Sequence, residues 1–276
     1  MNIKELLIKK IEALPPLPKS VLELEEFRMQ KDKDIPQLLE IIEKDPLIIS
    51  NLLKTANSSI FSFKSSVDSP SRAVNLLGMN FTISIALGSV VHGLIETNLD
   101  SYDATIDDFM QSCNISTQLV RKWVGQIDPK LRDELFIPAF LQGSGKFIVS
   151  DLIKEYNLVD DFKLALSGVN TSETEHDFLG LYSSELTAII FKHWLLGEGI
   201  YVPIAYSDKI TKCPKAFRKK AEILNIINML TDITSTLNQK NIDIAIGRAE
   251  QYGLSSNQLR FVIDDLKSDI EDKELG

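Results

Sequence analysis

Imidazole is scarce in this 276-residue chain: His92, His176 and His193 are its whole supply. Metal-dependent hydrolysis needs imidazole or carboxylate donors to converge, because the bound cation then lowers the pKa of a water and makes it a nucleophile. The adjacent pair His176-Asp177 lies in TSETEHDFLG, with Glu173 and Glu175 before it and His193 further on. Glu173 shares a helix face with His176 or Asp177 at three- and four-residue spacing. A metal site from Glu173, His176, Asp177 and His193 can therefore be drawn. Against it, acidic residues in a first helical turn are routine partners of the helix dipole. His92 sits in the apolar run VVHGLI and reads as a core histidine bonded to a backbone carbonyl.

Other chemistries fail sooner. Gly143-Ser144-Gly145-Lys146 has the look of a phosphate loop, but the longer G-x-x-x-x-G-K-[ST] spacing is absent and Phe147 stands where the hydroxyl belongs. Cys113 and Cys213 are too far apart for a zinc pattern and read as free thiols in a reducing cytoplasm, Cys113 as a small buried hydrophobe.

The elements that must position these residues read as helices. Apolar residues make up 44% and charged residues 25%, enough for one large domain or two small ones with a sizeable core. Helical spacing is expected from Asn2 to about Ala13, ended by the prolines of Leu14–Pro18, and from Lys19 to about Met29. In DIPQLLEIIEKDPLIISNLLKTAN, Asp34 and Asp45 are N-caps with Pro36 and Pro46 in the first turns, which predicts a helical hairpin. A Ser- and Phe-rich loop, Ser58–Asp68, follows, with the alternatives that Phe61 and Phe63 form an exposed surface or pack beneath it. Ser69-Pro70 starts a helix that Gly78 ends, and Phe81 to about Thr97 reads as a buried core helix.

Beyond the polar stretch 98–102, the spacing predicts helices over Thr105–Gln126, Asp128 into Phe140, Phe147–Tyr156, Val159–Leu166, Thr171–Leu179, Ser184–Leu195 and Ile200–Ser207. Pro214 to about Leu237, Ile242–Tyr252 and Ser255–Lys267 complete the set, the last with Ser255 and Gln258 at capping-box spacing. Few runs alternate, so little strand is expected.

A formal charge of −9 argues against a general nucleic-acid or anionic-membrane surface. Arg218, Lys219 and Lys220 form the tight basic cluster and read as a solvated helix face. The charged start MNIKELLIKKIEAL is unlike a signal peptide, and the apolar runs are too interrupted to span a bilayer.

Several spaced segments carry a resemblance. LPPLP, IIEKDP, NLLKTANSSIF and SPSRAVNLLG, in that order, resemble the HDOD family, the HD-related output domains of bacterial signalling proteins. FIPAFLQGSGKFIVSDL is similar to the GLLHDIGK pattern of the related HD phosphohydrolases, with Gly145-Lys146 fixing the register. The resemblance puts Gln142 and Gly143 at the His and Asp of the catalytic pair. It puts Gln111 at a histidine of the preceding helix, Ser183 at the histidine of a G-x-x-H-x-E pattern, Tyr206 and Ser207 at paired histidines, and Met229 at another, while Asp232 survives.

The resemblance thus implies an all-α protein: an N-terminal helical layer over residues 1–98, packed on an HD-like helical core over 99–276. It implies no catalytic residue and no cofactor. Its role would be that of a regulatory protein of the bacterial cytoplasm that binds an unidentified signalling protein, without nucleic acid or membrane insertion. Gln111, Gln142, Gly143, Ser183, Tyr206 and Asp232 would line the vestigial pocket, open to a small polar ligand or a cyclic di-nucleotide. The rival readings are a divergent metal-dependent phosphohydrolase and a nucleotide sensor without hydrolysis.

Overall fold

The computed structural model describes residues 3–61, 63, 65–95, 98–166 and 170–274. Asn2 and Thr97, assigned above to helix ends, and Ser62 and Lys64 of the Ser58–Asp68 loop lie outside the described residues. Among the described residues every regular element is helical and none is a strand, so the fold is all-α.

In chain order the first helices are α1 (Ile3–Glu12), α2 (Lys19–Met29), α3 (Ile35–Ile42), α4 (Pro46–Ala56), α5 (Pro70–Leu77) and α6 (Met79–Ile95). α7 (Ile106–Leu119) runs through a π-helical turn, Val120–Val124, into α8 (Gly125–Ile127). Then come α9 (Pro129–Leu141), α10 (Gly145–Glu155), α11 (Val159–Leu166), α12 (Thr171–Leu179) and α13 (Ser183–His193). The chain closes with α14 (Glu198–Ala205), α15 (Arg218–Leu230), α16 (Gln239–Gln251) and α17 (Ser256–Glu274). Cα proximity divides it into two units, one of Met1–Leu14 with Ile95–Ile263 and one of Pro15–Leu94 with Asp264–Gly276.

The unit built on Pro15–Leu94 is organised by the α3–α4 hairpin. Asp34 accepts from the Gln37 N–H at 2.8 Å and Asp45 from the Leu47 N–H at 3.0 Å, so each carboxylate satisfies a donor that the helix itself cannot. Leu38 and Ile42 of α3 and Ile48 and Leu52 of α4 turn fully inward. Asn57 closes α4 and also ties down the following loop: its Nδ2 donates to the Leu53 and Val67 carbonyls at 2.9 and 2.8 Å, and its Oδ1 accepts from the Val67 N–H at 2.8 Å. Phe61 is buried, 5.2 Å from the Phe81 ring. It packs under the loop, with half-buried Phe63 stacked on it at 5.9 Å.

In the other unit α13 lies against α10 and α14, and α7, α9, α14 and α15 pack on one another around Phe109, Trp123, Phe140 and Phe191. α1 contacts α10, where Lys10 pairs with Asp151 and, at 2.8 Å, with Glu155. The Thr105 hydroxyl and the Asp108 carboxylate form a reciprocal capping box at the head of α7. The spacing-based helix from Pro214 to Leu237 is shorter than expected. Pro214–Phe217 forms a turn, and beyond Leu230 the Asp232 Oδ1 accepts from both the N–H and the hydroxyl of Thr234, at 3.0 and 2.8 Å. That side-chain turn competes with the helix ladder and wins.

Candidate functional site

The site is set by one close approach. α9 ends at Leu141, and the Ser144 hydroxyl returns to the Leu141 carbonyl at 2.7 Å, turning the chain sharply into α10. The Gly145 N–H then donates to the Thr187 hydroxyl at 2.7 Å. A Cβ at residue 145 would lie 2.1 Å from the Ser183 carbonyl oxygen, so only glycine lets the first turn of α10 rest on the first turn of α13.

That contact carries the next side chain into the interior. Lys146 is 3% exposed, and its Nζ lies 2.6 Å from Oε1 of Glu175, which is 0% exposed. The Tyr102 hydroxyl donates to the same Oε1 at 2.8 Å, and the Ser183 N–H donates to Oε2 at 3.0 Å. The ammonium also sits over the Tyr102 ring, 5.1 Å from its centre. Burial by itself would lower the Lys146 pKa, but the charges of Glu175 and Asp232 and the hydrogen bond to Glu175 outweigh it and hold the ammonium above its ordinary value. Burial, then the Glu175 charge, raise the Tyr102 phenol well above its own. The centre is therefore an ammonium–carboxylate pair with a neutral phenol.

Two cavities flank it. The smaller, about 10 Å³, is bordered by Ser112, Gln142, Gly143, Lys146 and Thr231 and has the size of one water. Gln142 is 6% exposed, and neither its Oε1 nor its Nε2 has a protein partner. A Cβ at Gly143 would come 2.9 Å from the Phe109 ring, which fills the space an aspartate would need. The larger cavity, about 410 Å³, is lined by Tyr102, Asn170, Met229, Asp232, Asn238 and Lys163 among others.

The positions implied by the resemblance divide accordingly. Gln142 and Gly143 face the small cavity beside Lys146, Ser183 touches the centre through its N–H, and Asp232 and Met229 border the larger cavity. Gln111 is exposed; its neighbour Ser112 faces inward instead, one residue out of register. Tyr206 is half-buried at the end of α14 and lines neither cavity, whereas Asp208, two residues on, accepts from the Ser184 hydroxyl at 2.6 Å and acts electrostatically on Lys146. The sequence reading gave Tyr102 no role and named Glu175 only as a neighbour of His176-Asp177. The available signal was a lysine opening the apolar stretch GKFIV, which demands a buried counter-charge.

Glu173, Asp177 and His193 are exposed, and His176 is stacked on Tyr182 with ring centres 4.6 Å apart. No three His, Cys, Asp or Glu side chains among the described residues come together in a way that could hold a metal ion. An HD-type metal does not fit the central donor set either. The residues around it are glutamine, glycine and serine, which offer no imidazole or carboxylate, and the Glu175 carboxylate already carries an ammonium.

The phosphate-loop lookalike has no room for a phosphate at Gly145. The basic cluster departs from the solvated face expected of it: Arg218 donates to the Cys213 carbonyl at 3.1 Å, Lys219 to the Tyr252 carbonyl at 3.2 Å, and Lys220 pairs with Glu134 at 2.7 Å. Cys113 is buried, and burial pushes its thiol up, away from nucleophilic use. No helix among the described residues is long and apolar enough to cross a membrane.

The fold and this centre define an all-α protein with a buried lysine–glutamate pair at its core. The HDOD domain model matches residues 14–210, and the chain belongs to the HDOD family. Crystal structures agree on the fold. A virulence factor from Campylobacter jejuni is 24% identical over 94% of this chain and 95% of its own, with a TM-score of 0.55. A candidate phosphohydrolase from Shewanella amazonensis is 19% identical over 95% and 93%, with a TM-score of 0.66. A candidate signal transduction protein from Marinobacter aquaeolei is 18% identical over 99% of this chain and 60% of its own, with a TM-score of 0.70. A comparison with curated proteins finds no match.

Proposed function

We propose that this HDOD protein is a non-catalytic regulator in bacterial cytoplasmic signal transduction, acting by binding a partner protein. The observation that carries this reading is the small cavity bordered by Gln142, Gly143 and Lys146, which offers no imidazole or carboxylate at the positions that the family resemblance gives to a metal-binding His-Asp pair. A hydrolase of this architecture needs a metal cation to generate hydroxide, and neither an amide nor a glycine is a ligand of the kind that holds one. The signalling name of the Marinobacter relative supports the regulatory class.

The test is elemental analysis of untagged protein purified without added metal, paired with a phosphodiester hydrolysis assay across divalent cations. No bound transition metal and no turnover are expected. Near-stoichiometric metal with cation-dependent turnover would overturn the reading and favour the divergent phosphohydrolase.

A second reading rests on the cavity of about 410 Å³ beside Asp232, which lies in the size range of small-ligand sites. In it the protein senses a small polar ligand, such as a cyclic di-nucleotide, without cleaving it. A concentration-dependent rise in Tm with a cyclic di-nucleotide, lost in Asp232→Asn, would establish that reading. Absence of any shift removes the di-nucleotide.

A further inference from the structure

Asp232 brings a carboxylate without a bonded cation to the cavity of about 410 Å³. The residue is 8% exposed. Its Oδ1 is taken by the N–H and the hydroxyl of Thr234, while among the described residues no hydrogen bond reaches Oδ2. The Lys146 ammonium is bonded to Glu175, and Lys163, which also lines the cavity, is paired with Asp103 at 2.9 Å. A buried carboxylate in this condition favours a hydrogen-bond donor, and a cationic donor above all. Two helix starts border the same space with the opposite polarity: α12 at Asn170 and Thr171, and α16 at Asn238 and Asn241. Asn170 Oδ1 accepts from the Ser172 N–H at 3.0 Å, and Asn238 Oδ1 accepts from the Asn241 N–H at 2.7 Å. Each amide thus keeps its oxygen on its own helix, and its NH2 group has no hydrogen bond among the described residues. Amide donors at the positive ends of two helices favour an anionic group. No arginine is among the lining residues, and Lys163 is already paired, so a single carboxylate suits these donors better than a multiply charged phosphate.

We propose that this cavity binds a small zwitterion, an α-amino acid, whose ammonium group meets Asp232 and whose carboxylate meets the amides of Asn170 and Asn238. A simple anion would face the Asp232 charge, and a simple cation would face the helix starts. A ligand that carries both charges satisfies both ends and leaves no buried group unpaired. Its side chain lies against Leu166, Met229 and Ile244, the aliphatic part of the lining. The volume is in the range of small-molecule sites. The inference rests on the reading in which this cavity takes a small polar ligand, and it names the class of that ligand.

The experiment titrates the full chain with the common amino acids at up to millimolar concentration, by calorimetry and by thermal unfolding. For each binder, the amine that lacks the carboxylate and the acid that lacks the amine are the controls. At least one amino acid is expected to bind and to raise the Tm with its concentration, as linkage requires. Removing either charge from the ligand, or Asp232→Asn in the protein, is expected to weaken binding by at least about tenfold. No binding by any amino acid overturns the proposal. So does an amine or an acid that binds as tightly as the amino acid, or binding that Asp232→Asn leaves unchanged. Should Asp232→Asn fail to fold, Met229→Trp takes its place, because it fills the cavity while Asp232 stays intact; undiminished binding there overturns the proposal as well. A cyclic di-nucleotide that binds where no amino acid does overturns the amino acid and leaves the sensing reading standing, whereas no response to either removes both.

Discussion

A methyl group at Gly145 would collide with the Ser183 carbonyl oxygen at 2.1 Å, a contact to backbone that no rotamer can relieve. Gly145→Ala is therefore expected to cost at least the upper end of the ~1–3 kcal/mol typical of overpacked cores, read from urea unfolding. Gly143 differs, since its would-be Cβ meets a ring edge of Phe109 at 2.9 Å. Gly143→Ala should be milder, and Phe109→Leu in the same chain should recover part of the loss. Lys146→Met strands the buried Glu175 carboxylate, so a loss of about 3–5 kcal/mol is expected. Lys146→Met/Glu175→Met removes both charges and should regain most of it, because the desolvation cost of the pair then disappears as well. Equal losses in the single and double variants would mean that packing, and not charge, dominates at Lys146.

At the scale of elements, the helix starts that the sequence announces are those whose caps are local. Asp34, Asp45, Ser69, Thr105 and Asp128 each accept a hydrogen bond from an N–H two or three residues on, as their spacing from a proline or an apolar run suggested. Asp45→Ala is expected to cost ~1 kcal/mol, and the same change at the exposed Glu43 close to nothing. Circular dichroism during denaturation gives both values. The end of α15 was not legible, because LNIINMLTDITSTL keeps an apolar rhythm well past Leu230. What stops the helix is the Asp232–Thr234 turn, a competition between side chain and backbone that periodicity does not register. The π turn at Val120–Val124, which turns Trp123 fully inward, likewise leaves no mark in the spacing.

For the whole molecule, pH acts from both sides. Lys146 and Tyr102 both hold their protons more tightly folded than unfolded. Their contribution is therefore complete below the unfolded values near 10 and lost as pH rises through the folded ones. On the acid side, burial lowers the His92 imidazole. The residue keeps part of its surface in water. Below the ordinary value of about 6.5 the unfolded chain takes up a proton that the folded chain declines, so stability falls as pH falls. Between about pH 7 and pH 5 the Tm of wild type should drop more than that of His92→Gln; parallel curves would remove His92 as the cause.

By itself the sequence determined the helical class, the hairpin with its aspartate caps and the family. All of these are written in local patterns: apolar period, cap spacing and the order of short motifs. Only the tertiary structure decided what Lys146 meets in the interior. Lys146 and Glu175 are 29 positions apart, and Tyr102 is 73 from Glu175. They meet because Gly145 lets α10 lie flush on α13. A pairing between distant residues leaves no periodic trace, and a single register step separates exposed Gln111 from inward-facing Ser112. Burial of opposite charges is a property of the packed core, since desolvation and attraction are both set by what the other helices bring close.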